Sequence, residues 1–171
     1  MWRLLPLDDP LVDVFVSRDL DSLPSQREAA AVAAWLHAPE TFHIMRDHWD
    51  HLITMPGGLW GAKVGQKRPL MARLKAELNG WVDHARHKNW DQRALHGIVW
   101  NHASVDSVQH DSYTCQRFPG YTVPFPTQRT ENDTTLYVGQ VVTDGSGGSG
   151  EKLRTCPVAC RPQEHRDWDY C

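Results

Sequence analysis

The feature that most constrains this chain is a short β-branched and aromatic run that leads, through a polar turn, into a strongly helix-forming segment. Residues 12–16 have the sequence Val-Asp-Val-Phe-Val, which is typical of a strand. Ser25 and Glu28 then stand at capping-box spacing, in which the hydroxyl accepts from the N3 backbone N–H and the carboxylate reaches back to the cap. A strand followed closely by a capped helix is the repeating unit of α/β folds.

Later segments continue this alternation. Residues 41–45 predict a second strand, and residues 136–142 predict a late one. A shorter helix is expected to begin near Asp91, whose carboxylate can cap it, and to end near Trp100. We therefore predict an α/β domain with a mixed sheet flanked by helices. A longer amphipathic helix is predicted from apolar residues that recur on one helical face: Leu70, Leu74, Leu78, Trp81, Val82 and Ala85.

Composition excludes several other classes of protein. The chain has 171 residues, of which 40% are hydrophobic and 23% charged, with a net charge of −3. These values exclude a collagen-like, coiled-coil or wholly disordered chain. No run approaches about 18 apolar residues, so no membrane span is predicted. Acids and proline interrupt the first apolar stretch, so no signal peptide is predicted. The small net charge gives no general attraction to nucleic acid, and we expect no nucleic-acid partner.

The strongest chemical feature is the acidic pair Asp19 and Asp21, which closes the first predicted strand. Two carboxylates separated by one residue can converge on one hard divalent cation, and oxygen ligands are those that Mg²⁺ and Mn²⁺ prefer. Ligands of open α/β sheets bind beyond the carboxyl ends of the strands, which is where this pair lies. The alternative is that both carboxylates belong to a solvated turn.

Residues 17–22, with the sequence Ser-Arg-Asp-Leu-Asp-Ser, resemble a motif of a glycosyltransferase family with a nucleotide-diphospho-sugar transferase (GT-A-like) fold. Similarity continues in order over roughly residues 3–142. The matching positions include residues 27–28, 31–32, 35–36, 43–48, 57–61, 91–92, 95, 110–112, 124–126, 129 and 138–140. The resemblance implies transfer of a sugar from a nucleotide-diphosphate donor to a hydroxyl acceptor, such as that of a carbohydrate.

The resemblance also implies a metal centre. Asp19 and Asp21 match the D-x-D motif that holds Mn²⁺ or Mg²⁺ and, through the metal, the donor diphosphate. Such folds often complete the metal shell with a downstream histidine, for which His110 is the candidate. The alternative for His110 is a surface residue before a turn.

Further positions are implied as substrate contacts. Gly57 and Gly58 would let the backbone approach the sugar closely. Asp91 and Gln92 resemble the Asp-Gln pair that contacts the donor sugar in related transferases, and this makes Asp91 the candidate catalytic residue. For Asp91, a helix cap is the alternative.

Two arginines and a tryptophan complete the predicted site. Arg18 and Arg46 could pair with phosphate or with an acceptor carboxylate. Arg46 and Asp47 could instead form a local ion pair. Trp60 is a candidate substrate contact, but its alternative is a place in the core or the cleft wall.

The chain departs from the family pattern at its start. Only 18 residues precede Asp19, whereas the family places a nucleotide-binding βαβ half before the motif. We therefore predict an incomplete GT-A-like domain over residues 1–143, a Gly/Ser linker over 144–150 and a flexible, cysteine-containing tail over 151–171. An open sheet edge in such a domain would favour self-association. A non-catalytic binding or structural remnant of the fold is the first alternative function.

The tail supplies the second alternative. The last 16 residues contain three cysteines and a histidine with spacings similar to those of a zinc knuckle: Cys156, Cys160, His165 and Cys171. Trp168 and Tyr170 lie in the same segment and could stack on bases. A disordered or disulfide-linked tail is the competing interpretation. With Cys115, the four cysteines allow three pairings, which the sequence leaves open. These cysteines and the Asn132-Asp133-Thr134 sequon favour a secretory lumen.

Overall fold

The computed structural model describes residues 2–81, 89–129, 136–141 and 153–171. The strands are β1 (Phe15–Arg18), β2 (Phe42–Arg46), β3 (Leu59–Ala62), β4 (Ser107–Asp111) and β5 (Tyr121–Val123). The α-helices are α1 (Gln26–His37), α2 (Arg68–Gly80), α3 (Trp90–Ala94) and α4 (Trp100–Ala103), and a π-helical turn, Leu95–Val99, joins α3 to α4. Short 3-10 helices cover Trp2–Leu7, Val64–Gln66 and Val158–Cys160.

The described strands form one mixed sheet in the order β1-β3-β2-β4-β5. β3 is antiparallel to both β1 and β2, whereas β4 is parallel to β2 and to β5. The carboxyl ends of β1, β2 and β4 therefore lie at one edge of the sheet, beside the amino end of β3. The predicted α/β class with a mixed sheet and flanking helices is confirmed.

Helix α1 covers one face of the sheet. Its Ser25 cap accepts from the backbone N–H of Glu28 at 3.1 Å, as the capping-box spacing predicts. The Glu28 carboxylate pairs with Arg18 of β1 and so ties the start of the helix to the sheet. Trp35 lies flat on the His43 ring with 5.1 Å between ring centroids, and both side chains are fully buried.

The opposite face carries the larger hydrophobic core. Alternation along the strands sends Phe42, Ile44 and Trp60 to this side. The apolar residues of α2 pack against them, among them Leu74 and Leu78 of the predicted helical face. The predicted helix thus forms, but its described part ends at Gly80, and positions 82 and 85 lie outside the described residues.

The strand predictions have mixed outcomes. The segment predicted over residues 41–45 is β2, shifted by one residue, and the one predicted over residues 12–16 is β1, shifted towards Arg18. The late strand predicted over residues 136–142 is wrong within the described residues 136–141. There the backbone turns at Gly139, which has a φ of 88°, and a single bridge joins Ser22 to Val141.

The described part of the tail packs on the domain. Disulfides join Cys115 to Cys160 and Cys156 to Cys171, and the backbone N–H of Arg129 donates to the Tyr170 carbonyl at 2.9 Å. Cys156, Cys160 and Cys171 are buried. The prediction of a flexible, separate tail is therefore corrected for residues 153–171.

These disulfides favour the competing interpretation, a disulfide-linked tail, over the zinc knuckle. A zinc knuckle binds its metal through cysteine thiolates, whereas all three tail cysteines form disulfide bonds. The exposed His165 stacks on Trp168 at 4.3 Å between ring centroids. The structure thus has one of the three disulfide pairings that the sequence left open.

The remaining predictions concern the sequon, the linker, membrane spans and the outer strands of the sheet. The sequon at Asn132 and the linker over residues 144–150 lie outside the described residues. None of the described helices is both long and apolar enough to cross a membrane. β1 and β5 are the outer strands of the described sheet, and self-association through such an edge stays a prediction.

Candidate metal and diphosphate site

The candidate site lies at the edge of the sheet where β1 ends and β3 begins. Asp19 directly follows β1, and Gly58 directly precedes β3, its antiparallel neighbour. A Cβ atom at position 58 would lie 2.6 Å from Cγ of Asp19 and 3.0 Å from its backbone nitrogen. Only glycine fits beside this carboxylate, so the pairing of β1 with β3 seats Asp19 against the turn that contains Gly57 and Gly58.

Asp91 and Gln92 reach the same turn from the start of α3. The Gln92 side-chain oxygen accepts from the backbone N–H of Gly57 at 2.9 Å, and its amide donates to the Met55 carbonyl. A Cβ atom at position 57 would lie 3.8 Å from Oδ2 of Asp91. The predicted residues Asp19, Gly57, Gly58, Asp91 and Gln92 therefore surround one point at the sheet edge, and we call these five the edge cluster.

Asp91 does not cap its helix in the way the alternative interpretation expects. Asn89 occupies the N-cap position in a left-handed conformation with a φ of 65°. Asp91 lies in the first turn, where its Oδ1 accepts from the backbone N–H of Gln92 at 2.8 Å. Its Oδ2 is the oxygen that faces Gly57.

Asp21 lies two residues beyond the edge cluster in an exposed turn. The backbone N–H of Ser22 donates to the Asp19 carbonyl at 3.3 Å and closes this turn. The Ser22 hydroxyl donates to the Gly139 carbonyl at 3.1 Å, which anchors the turn to the segment that follows residue 135. Asp21 is therefore held close to Asp19 along the chain, and its side chain is exposed.

Arg3 is a functional candidate that sequence reasoning missed. Its guanidinium forms an ion pair with Asp19, and its Nη1 would lie 3.1 Å from a Cβ atom at position 57. The side chain of Arg3 is 24% exposed and that of Asp19 is 41% exposed, so solvent reaches this pair. No sequence pattern indicates that Arg3 belongs to this site, because it is a single arginine in an apolar amino-terminal segment.

The two predicted phosphate-binding arginines turn inward instead. Arg18 forms an ion pair with Glu28 and donates to the Ser22 carbonyl at 3.0 Å. Burial lowers the pKa of Arg18, although the charge of the Asp19 carboxylate opposes this effect. Arg46 is 1% exposed, with its Nε 2.7 Å from the Asp111 carboxylate and its Nη1 2.5 Å from the Thr54 carbonyl.

All three guanidinium nitrogens of Arg46 donate within the fold, because its Nη2 is bound to the Gln109 side-chain oxygen. Its guanidinium also lies over the Phe118 ring, 4.6 Å from the centroid. The phosphate role predicted for Arg46 is therefore corrected to a buried ion pair with Asp111. The alternative partner, Asp47, is also replaced by Asp111.

Trp60 and His110 are buried away from the edge cluster. Trp60 is a fully buried core residue that makes an edge contact with Phe15 at 5.0 Å between ring centroids, so its substrate role is corrected. His110 is 2% exposed, and its Nδ1 lies 2.8 Å from Nε2 of His43. His110 is thus neither a surface residue nor directed towards solvent.

The place of His110 in the sheet separates it from the acidic pair. β4 is three strand spacings from β1, or about 14 Å at about 4.8 Å per spacing. Burial, followed by the charge of Arg27, lowers the pKa of His110 to about 4, despite the opposing charge of Asp47. The prediction that His110 completes the metal shell is therefore corrected. No group of three or more His, Cys, Asp or Glu in the described ranges is arranged to hold a metal ion.

A second polar cluster lies where β2 and β4 end. The Asp47 carboxylate is fully buried and binds Arg27, Arg129, the Ser112 hydroxyl and the Val138 backbone N–H. Burial alone would raise its pKa, but the charges of Arg129 and Arg27 and the hydrogen bonds from Arg27 and Val138 lower it to about 2. Both arginines also donate to the Cys171 main-chain oxygen, so this cluster joins the described tail to the sheet.

No family model, no curated protein and no solved structure matches the chain.

Proposed function

We propose that the edge cluster, with Asp21, binds a divalent cation and a nucleotide-diphosphate sugar, and that the domain acts as a glycosyltransferase. The observation that carries the proposal is the meeting of Asp19 and Asp91 at a two-glycine turn on the carboxyl edge of the sheet. This edge is where open α/β sheets bind ligands. Oxygen ligands supplied by Asp19 and Asp21 suit Mg²⁺ or Mn²⁺, and their donor chemistry fits that ion.

Each member of the edge cluster has a role in this proposal. Asp19 and Asp21 hold the ion, which when bound neutralises the diphosphate as it leaves. Gly57 and Gly58 are buried, and their lack of side chains makes room at the turn for the carboxylates of Asp19 and Asp91. Gln92 fixes the Gly57 peptide through the 2.9 Å hydrogen bond, and Asp91 places one carboxylate oxygen beside the same turn, where we assign the donor sugar.

Calorimetry tests this function. Titration of UDP into the full chain in the presence of Mn²⁺ is expected to release heat, and the Asp19→Asn variant should bind at least tenfold more weakly. Glu77→Gln is the matched control, because Glu77 is an exposed acid on α2 whose loss changes the net charge equally. Equal UDP affinities for Asp19→Asn and Glu77→Gln would exclude this site.

The ion pair between Arg3 and Asp19 favours one alternative function, a non-catalytic module in which the arginine occupies the place of the cation. The Arg3→Gln variant distinguishes the two functions. In a metal site the variant removes a competing positive charge, so Mn²⁺ should bind more tightly than in the wild type. In a structural pair the variant lowers stability and gains no affinity for Mn²⁺.

A further inference from the structure

A cavity of about 630 Å³ opens between the segments that follow β2 and β4 and the described part of the tail. Trp49 comes from the segment after β2, and Tyr113 and Cys115 come from the segment after β4. Arg154 and Cys160 form the wall supplied by the tail. We call it the disulfide cavity, because the bond between Cys115 and Cys160 joins its two walls. Its volume lies within the range of about 300–1,000 Å³ that is usual for small-molecule sites.

The charge of the cavity lining has one sign. Arg117 and Arg154 are its charged residues, and none of the described lining residues is an acid. In the described part of the chain, neither guanidinium lies within 4.0 Å of a carboxylate, whereas those of Arg18, Arg27, Arg46 and Arg129 each form an ion pair. The lining therefore offers two positive charges with strong hydrogen-bond donors to an anionic group.

Aromatic contacts hold Arg154 in place. Its guanidinium carbon lies 4.8 Å from the centroid of the Trp49 ring, and a guanidinium stacked in this way keeps its N–H edge available for acceptors. The Tyr113 hydroxyl donates to the Arg154 carbonyl at 2.7 Å and so fixes the backbone at the same position. The cation is thus positioned before any ligand arrives.

The remaining lining favours a hydroxylated ligand over a simple inorganic anion. Gln116 and Thr155 supply side-chain donors and acceptors around the two arginines, and the Thr114 hydroxyl, which donates to Asp111, can accept from a ligand. We propose that the disulfide cavity binds an anionic saccharide, with its carboxylate or phosphate ester on Arg117 and Arg154 and its hydroxyls on these polar side chains. The assignment of this saccharide as the acceptor rests on the proposed glycosyltransferase function, because both sites lie on the carboxyl edge of the sheet.

Binding is tested without metal or donor, so its failure is distinct from failure of the transfer reaction. The oxidised full chain is titrated with a glucuronic-acid-containing disaccharide, a sugar phosphate, a neutral disaccharide of equal size and inorganic phosphate. Either anionic saccharide is expected to bind at least tenfold more tightly than the neutral disaccharide and than inorganic phosphate. Arg154→Gln and Arg117→Gln should each weaken that binding severalfold, whereas Arg73→Gln, an exposed arginine on α2, should leave it unchanged.

The outcomes separate the two proposals. Saccharide binding that persists in Asp19→Asn supports the cavity even where sugar transfer fails. Equal binding of neutral and anionic disaccharides, binding of inorganic phosphate alone, or unchanged affinity in both arginine variants would overturn the proposal. Thermal unfolding of each variant checks folding, and both arginines are exposed, so their replacement is expected to leave the core intact.

Discussion

Gly58 shows how one residue connects the sheet to the chemistry of the edge cluster. Its backbone lies so close to Asp19 that any Cβ would collide with the carboxylate carbon at 2.6 Å. At the residue scale, the position of Asp19 therefore depends on the absence of a side chain at Gly58, which directly precedes the neighbouring strand β3. The sequence signal is a pair of glycines, which the family resemblance assigned to close approach of the donor sugar and not to the position of Asp19.

Gly58→Ala is expected to displace Asp19 and to weaken Mn²⁺ binding at least tenfold. Overpacking of this kind costs about 1–3 kcal/mol of unfolding free energy. Gly80→Ala is the matched control, because a Cβ there meets nothing within 4 Å and alanine favours a helix. Urea unfolding and Mn²⁺ titration of both variants check the prediction, and equal metal affinity in the two variants would contradict it.

At the scale of elements, β4 explains why part of the fold escaped prediction. Its sequence, Ser-Val-Gln-His-Asp, lacks an apolar pattern, yet every residue is buried. The polar groups find partners on neighbouring elements, such as Arg46 for Gln109 and Asp111, and His43 for His110. Such pairing is long-range, so no local signal indicates it, whereas the Ser25 cap and the apolar face of α2 are local and were predictable.

The same distinction between local patterns and long-range contacts applies to the residues of the candidate site. The edge cluster consists of residues that follow or precede elements at one edge, and the family resemblance, rather than any local pattern, grouped them in the sequence. Arg46 and His110 lie within strands, where alternation decides the side to which a residue points, and their burial depends on partners distant in sequence. The ion pair between Arg3 and Asp19 also joins distant residues, so no local pattern indicates it.

The histidine pair between β2 and β4 makes stability depend on pH. Burial lowers the pKa of His43 well below 6.5, as do the charges of His110 and Lys63, and the pKa of His110 falls to about 4. At these two histidines the unfolded chain therefore binds more protons than the fold below pH 6.5, so stability falls as the pH falls from about 6.5 towards 4.

His110→Gln is expected to make this slope shallower, because one buried titrating group is lost. The free energy of unfolding is measured by urea denaturation between pH 7 and pH 4.5. His37→Gln is the control, since His37 is exposed at the end of α1. A slope in His110→Gln as steep as that in His37→Gln would show that His110 does not contribute.

At the scale of the whole molecule, the two disulfides and the Asp47 cluster hold the described tail on the sheet. Cys115–Cys160 connects residues 45 apart, and Cys156–Cys171 connects residues 15 apart. Closing a loop in this way restricts the unfolded chain and typically stabilises a fold by about 2–4 kcal/mol. The tail is therefore an integral part of the domain over residues 153–171.

Reduction is expected to lower the urea midpoint of unfolding markedly, and added zinc should not restore it. The Cys156→Ser/Cys171→Ser double variant should lose part of this stability and keep a further response to reductant through the other bridge. Identical midpoints for the oxidised and reduced chains would contradict the disulfide pairing.

The central claim is that the edge cluster and Asp21 hold a divalent cation together with a diphosphate. Electron paramagnetic resonance of Mn²⁺ measures this most directly, because free Mn²⁺ gives a strong signal that is lost on binding. We expect UDP and the wild-type chain together to remove one equivalent of free Mn²⁺ beyond what UDP alone binds, and Asp19→Asn to abolish this extra loss. An equal extra loss with Asp19→Asn, or none with the wild type, would contradict the claim.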